Sequence, residues 1–179
     1  MSYHVHHQPV YVIQGDRHAH LGNHAPEFVA EMAMTRKLLE RVPQDKLTWK
    51  PSADLHTIAW NASHLVEIAG WLPGIVGDSE LDLAPVGGEA YVTTEATDMK
   101  LLLAKFDENV SQSLAALRGV PDAVMAEPWS LKMGGHTIFT MPKGECLRKW
   151  VFGHTAHHRG ILSIYLRLAG VKLGLMYEE

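Results

Sequence analysis

Seven positions at alternating steps of four and three, Leu147, Val151, His154, His158, Ile161, Tyr165 and Leu168, form one stripe near the end of the chain. That alternation is the seam of a helix laid along other helices. It predicts a helix from about Lys143 to Ala169, stopped by Gly170. Such a rod cannot bury its stripe alone, so the rest of the chain must supply partner helices.

Three further segments carry the same period. Phe28, Met32, Thr35, Leu39 and Val42 mark a first helix from Pro26 to Arg41, with Pro43 limiting its continuation. Ile58, Ala62, Leu65, Ala69 and Leu72 mark a second from about Leu55 to Ile75, its end disturbed by Pro73 and Gly74. Met99, Leu103, Phe106, Val110, Leu114 and Leu117 mark a third from about Glu95 to Leu117, with Thr94 as N-cap and Gly119 as stop.

Between the second and third helices, residues 78–93 are rich in Gly, Pro and acid. That loop is long enough to cross a bundle from end to end. Before the last helix, "WSLKMGGHTIFTM" sets two alternating runs around Gly134-Gly135, the mark of a hairpin with a two-residue turn. The expectation is therefore an all-α fold: a four-helix bundle with a long crossover between helices 2 and 3 and a small β-hairpin insert before helix 4. It occupies residues 25–179 as one domain. Residues 1–24 form a His-rich N-terminal arm carrying six of the twelve histidines, with little apolar periodicity.

Composition narrows the function. The formal net charge of −4 leaves no electrostatic footprint for nucleic acid or anionic lipid. No uncharged apolar run approaches the roughly 18 residues of a membrane span, and the N-terminus lacks a signal peptide's apolar core. The single cysteine, Cys146, forbids an internal disulfide and suits a cytoplasmic address.

The chemistry lies in the seam histidines. His154 and His158 stand one turn apart on one face, close enough to share a divalent ion. The zinc-protease helix uses that spacing, but its glutamate is missing here, since Thr155 and Ala156 follow His154. A third ligand must come from another helix. His64, on an apolar and aromatic face of the second helix, is the candidate. Three neutral imidazoles with an open position describe a catalytic rather than a structural site.

Each of these histidines also has a plainer reading as a hydrogen-bonded core residue. His157 points about 100° off the seam, so it reads as a rim group and only a weak catalytic candidate. Glu67, three residues after His64, is the other weak catalytic candidate, as base or as partner to an imidazole N–H; its plainer reading is a surface carboxylate. Trp60 and Trp71 wall a pocket or simply fill the core. Arg159 and Arg167 hold an anionic cofactor or are solvated on an outer face. Cys146 reads as structural or incidental.

"HTIAWNASHLVEIAGWL", followed about ninety residues later by "LRKWVFGHTAHHRGILSIYLRLAGV", resembles the DinB-like superfamily of metal-binding bundles over roughly residues 25–172. The resemblance implies a divalent metal, zinc or nickel, held by His64, His154 and His158, and homodimers. Among such proteins are thiol-dependent transferases and isomerases using bacillithiol or mycothiol, and others described as metal-dependent hydrolases. The chain departs from the pattern at Ile161, where the family carries glutamine, and in its "LGLMYEE" end.

The functional expectation is a divalent-metal-binding protein acting on a small molecule, with a low-molecular-weight thiol as co-substrate and no nucleic-acid or membrane partner. The thiol-dependent transfer is favoured because the ion itself activates the attacking sulfur, whereas hydrolysis needs a nearby base. The alternatives are a metal-dependent hydrolase and a non-catalytic metal-binding stress-response bundle.

Overall fold

Apolar periodicity, caps and glycines account for most of the element boundaries in the computed structural model, which describes residues 24–174. The chain is mostly helical with a small three-stranded sheet. Helix α1 is His24–Leu39, α2 is Ile58–Ala69, α3 is Leu72–Gly77 and α4 is Met99–Gly119. Strand β1 is Glu80–Asp82, β2 is Pro128–Met133 and β3 is His136–Pro142. The last rod is continuous through α5 (Lys143–Cys146), a π-helical stretch Leu147–Gly153, and α6 (His154–Leu168). α2 packs on α4 and α6, and α1 packs on both of those. Phe28, Leu39, Ile58, Leu65, Phe106, Leu147, Leu162 and Leu166 meet in the core between them. The expectations for the arm fall on residues 1–23, outside the described residues; His24 opens α1 and is buried.

The second helix is not one rod. α2 begins at Ile58 because Thr57 caps it, its Oγ1 accepting from the Trp60 N–H at 2.9 Å. It ends at Ala69, and Pro73 in the first turn of α3 restarts the chain on a new axis. A helix end leaves carbonyls without partners. Two polar residues of α4 supply them: Asn109 Nδ2 donates to the Val66 carbonyl at 2.8 Å and Ser113 Oγ to that of Ala69 at 2.6 Å. Both were invisible as seam residues because they are polar. They demand close approach, and Gly70 permits it: a Cβ there would stand 2.9 Å from Asn109 Nδ2. Gly70→Ala is expected to cost about 1–3 kcal/mol by displacing Asn109 from a close-packed contact, read as a lower urea midpoint with unchanged m.

α4 starts four residues later than the sequence indicates. Asp98, rather than Thr94, caps it, accepting from the N–H groups of Lys100 and Leu101 at 2.7 and 3.1 Å. Residues 93–97 instead run as a strap across α2, held where the Ala96 N–H donates to Ser63 Oγ and Gln44 Nε2 donates to the Thr97 carbonyl.

The hairpin is where the glycines place it. Gly134 and Gly135 both take positive φ, 61° and 80°, the backbone that a two-residue turn requires. The third strand was not legible. β1 comes from the Gly/Pro/acid loop and pairs in parallel with β2, Leu81 opposite Leu131. Asp82 fixes that junction by accepting from the N–H groups of Gly134 and Gly135 at 2.9 and 2.7 Å.

The seam of the last rod slips by about one residue. Leu147 and Val151 are buried as expected, but the line continues through Thr155, His158, Leu162 and Leu166, while Leu168 is 62 % exposed. The π-helical stretch explains the slip, since a wider turn carries more residues before returning to the same face. Gly153 sits where a Cβ would stand 3.3 Å from the Arg148 carbonyl oxygen. The slip leaves His154 half-buried and carries Arg159 inward.

Candidate metal centre

α2 and α6 cross with His64 on one side and His154 and His158 on the other. Each offers a ring nitrogen, and the three lie within 4.8 Å of one another. Ring centroids are 4.6 Å apart for His64 and His158, 4.5 Å for His154 and His158, and 5.3 Å for His64 and His154. The structure thus brings together the three histidines named from the seam.

The tautomer of His64 follows from its neighbours. Its Nδ1 lies 3.2 Å from Glu67 Oε2. A carboxylate only accepts, so Nδ1 donates and Nε2 presents its lone pair to the cluster. Glu67 is itself held by Thr93, whose hydroxyl donates to the same oxygen at 2.7 Å. Burial alone would push the Glu67 carboxyl up, but hydrogen bonds from His64, Thr93 and Tyr91 outweigh it and hold it below the usual range. Of the two sequence readings of Glu67, the geometry is that of a partner to an imidazole N–H, an arrangement typical of metal-binding histidines. Thr93 and Tyr91 were missed because a threonine and a tyrosine in an irregular loop carry no sequence signal.

Three observations fit a divalent ion. His64 Nε2 and His154 Nε2 are 3.2 Å apart. Two nitrogens bound tetrahedrally at about 2.0–2.1 Å to one zinc stand about 3.3 Å apart. His158 Nδ1 is buried with no hydrogen-bond partner among the described residues. The donor set of three imidazoles suits a borderline-soft cation such as zinc or nickel.

Burial, then the nearby imidazoles of His64 and His157, pulls the His154 imidazole down to about 4. The same burial, with His64, His154 and His157 alongside, takes His158 to about 3. Both therefore stay neutral at pH 7 and can ligate. A depressed folded-state pKa means the unfolded chain binds more protons between about 6.5 and 4. The metal-free protein is thus expected to hold its full stability above about pH 6.5. It loses stability progressively as pH falls below about 6.5, the loss levelling off below about 4 for His154 and about 3 for His158, seen as a falling urea midpoint whose pH dependence flattens in the His154→Ala/His158→Ala double variant.

Aromatic rings surround the cluster. Trp60 stacks on His64 at 4.8 Å, and Trp71 and Trp150 lie 5.7 and 5.6 Å from His154. Trp71 and Trp150 also line a cleft of about 450 Å³ that reaches His64. His157 is exposed, its centroid 5.0 Å from His158. Arg167 is exposed and bonds the carbonyls of Leu173 and Gly174. Arg159 is not at the mouth: it is 2 % exposed and paired with Glu31 at 2.6 Å. Cys146 is fully buried, and burial pushes its thiol up to about 11, so it stays protonated. Ile161 is half-buried against the core.

Fold and site together define a helical protein that gathers three imidazoles from two helices, a cluster that could hold a metal ion. Residues 27–162 match the model of the DinB superfamily, and the chain belongs to that superfamily. A DinB-like protein from Bacillus cereus ATCC 10987 superposes with a TM-score of 0.64 at 20% identity, over 85% of this chain and 94% of that one. A DinB-like protein from Bacillus subtilis gives 0.62 at 17% identity, over 87% and 98%. These likenesses concern the fold. No curated protein matches the chain. No helix of the described residues is long and apolar enough to cross a membrane.

Proposed function

We propose that this protein is a cytoplasmic, metal-dependent enzyme of the four-helix-bundle type, with α1, α2, α4 and the α5–α6 rod as its four helices. His64, His154 and His158 hold one zinc or nickel ion, and the active species is a homodimer. The observation that carries the reading is the convergence of three ring nitrogens within 4.8 Å beside an apolar cleft.

The favoured reaction is thiol-dependent transfer to a small molecule. When bound, a divalent ion supplies Lewis acidity that favours the deprotonated form of a thiol or water reaching it. His64, His154 and His158 fill three positions and leave the remainder open. Glu67, accepting from His64 and Thr93 and held below the usual carboxylate range, orients the His64 ring and makes a weak base. That engagement favours thiol transfer over hydrolysis, which needs a base. Trp60, Trp71 and Trp150 exclude water around the rings.

Glu67→Gln separates the two branches. On the favoured reading it weakens metal binding by about 10–100-fold but leaves thiol-dependent turnover of an electrophile intact once metal is saturating. On the hydrolytic reading, saturating metal does not restore ester or amide cleavage. A metal-loaded protein inert in both reactions would instead support a non-catalytic stress-response bundle.

A further inference from the structure

The cleft beside the cluster is built from two layers. The end of α2, α3 and the start of the last rod, with Cys146 and Trp150, form one side, and the three-stranded sheet forms the other. Trp71, Leu81, Trp129, Leu131, Phe139 and Trp150 are among its walls. Trp71 and Trp150 belong to both the cleft and the histidine cluster, so the two are continuous. At about 450 Å³ the cleft is of the size that takes a small organic molecule.

Its charge is one-sided. The acidic residues on it are Asp78 and Glu80, both exposed, and Glu80 is tied to Lys132 at 2.6 Å. No Lys or Arg is among its described lining residues. An anionic body lying against these walls would give up its hydration with no Lys or Arg to replace the water, since the proposed ion sits only at the His64 end. The small sheet therefore has a use beyond closing a loop: it turns the flank of the histidine cluster into an apolar slot.

Resting on the reading above, we propose that this cleft holds the apolar body of an uncharged substrate, aromatic or branched aliphatic, whose reactive end reaches the His64 side. A carboxylate-bearing thiol does not fit the lining. The cleft selects the electrophile, and the thiol reaches the cluster from outside it.

The full-length protein tests this with the neutral fluorophore N-phenyl-1-naphthylamine. The fluorophore brightens on binding wild type. In protein stripped of metal, so that a carboxylate has no ion to bind, the neutral 1-naphthylmethanol displaces it at concentrations about tenfold lower than 1-naphthoate does. Gly74 lies on the cleft, and a Cβ there meets only Asp78 Oδ2, at 3.7 Å. Gly74→Phe therefore places a ring at the slot's edge without a clash, and, where near-UV circular dichroism shows that ring packed, weakens the probe by about tenfold or more, with metal content unchanged. Leu131→Trp on the opposite wall does the same should Gly74→Phe fail to fold, and the comparison of the two competitors needs no variant. His154→Ala loses metal yet keeps probe affinity. Equal displacement by naphthoate, no binding, or full affinity in a folded slot-filling variant overturns the cleft assignment and leaves the metal reading intact. Metal retained in His154→Ala overturns the metal reading alone.

Discussion

His154→Ala binds zinc several hundredfold more weakly than wild type, while His157→Ala changes affinity by less than about threefold. The estimate comes from sharing the roughly 10–16 kcal/mol released by four-ligand zinc sites among their ligands, which gives about 2.5–4 kcal/mol each. The two side chains are three residues apart on one helix and differ in placement. His154 turns a nitrogen to 3.2 Å from His64 Nε2. His157 is exposed, with its centroid 6.2 Å from His154. Competition against a chromophoric chelator measures both. Equal losses in the two variants would mean that histidine density, rather than the converged cluster, binds the ion.

Arg159→Ala is expected to destabilise the protein by about 3–5 kcal/mol. Arg159 Nη1 donates to Glu31 Oε2 at 2.6 Å, to the Glu31 carbonyl at 3.2 Å and to Thr35 Oγ1 at 3.3 Å, tying α6 to α1. Truncation leaves a void in the core and removes the one side-chain partner of Glu31 among the described residues, while Thr35 still donates to the Glu31 carbonyl. Glu31 is itself partly exposed and can hydrate. Much of the loss is therefore packing, and Arg159→Met, which keeps the volume, should lose less. Urea unfolding followed by circular dichroism reads the order. An Arg159→Ala midpoint within error of wild type would contradict the role given to this pair.

The sequence made the helices legible because each carries its own apolar period and its own stop. Gly134-Gly135 marked the hairpin because a two-residue turn needs positive φ at both positions. What stayed hidden depends on partners distant in the chain. Asn109 and Ser113 are polar, so they fall outside an apolar stripe, yet they close α4 onto the broken end of α2. Glu80–Asp82 has no alternation long enough to mark a strand, and only pairing with β2 makes it one. Arg159 looked solvated because the stripe was projected on a regular helix. The π-helical stretch ahead of His154 rotates that projection and turns the guanidinium inward.

The histidines were legible for a different reason: His154 and His158 stand one turn apart on an apolar seam, and that pair called for a third ligand, which His64 supplied. Their supports were not. Nothing in "AYVTTEAT" announces that Tyr91 and Thr93 reach Glu67, since the strap that carries them has no period. Glu67 was a candidate by spacing alone, and only its 3.2 Å contact with His64 Nδ1 distinguishes partner from base.

The central claim is that His64, His154 and His158 converge on a single ion and leave it a vacancy. Zinc K-edge absorption fine structure tests it on the full chain carrying one equivalent of zinc, with His4, His6, His7, His18 and His20 replaced by alanine so that these five do not contribute to the signal. The account predicts three imidazole nitrogens at about 2.0–2.1 Å and one or more exchangeable light ligands. A shell with one imidazole or none, or zinc that no longer binds once the arm histidines are gone, would contradict it.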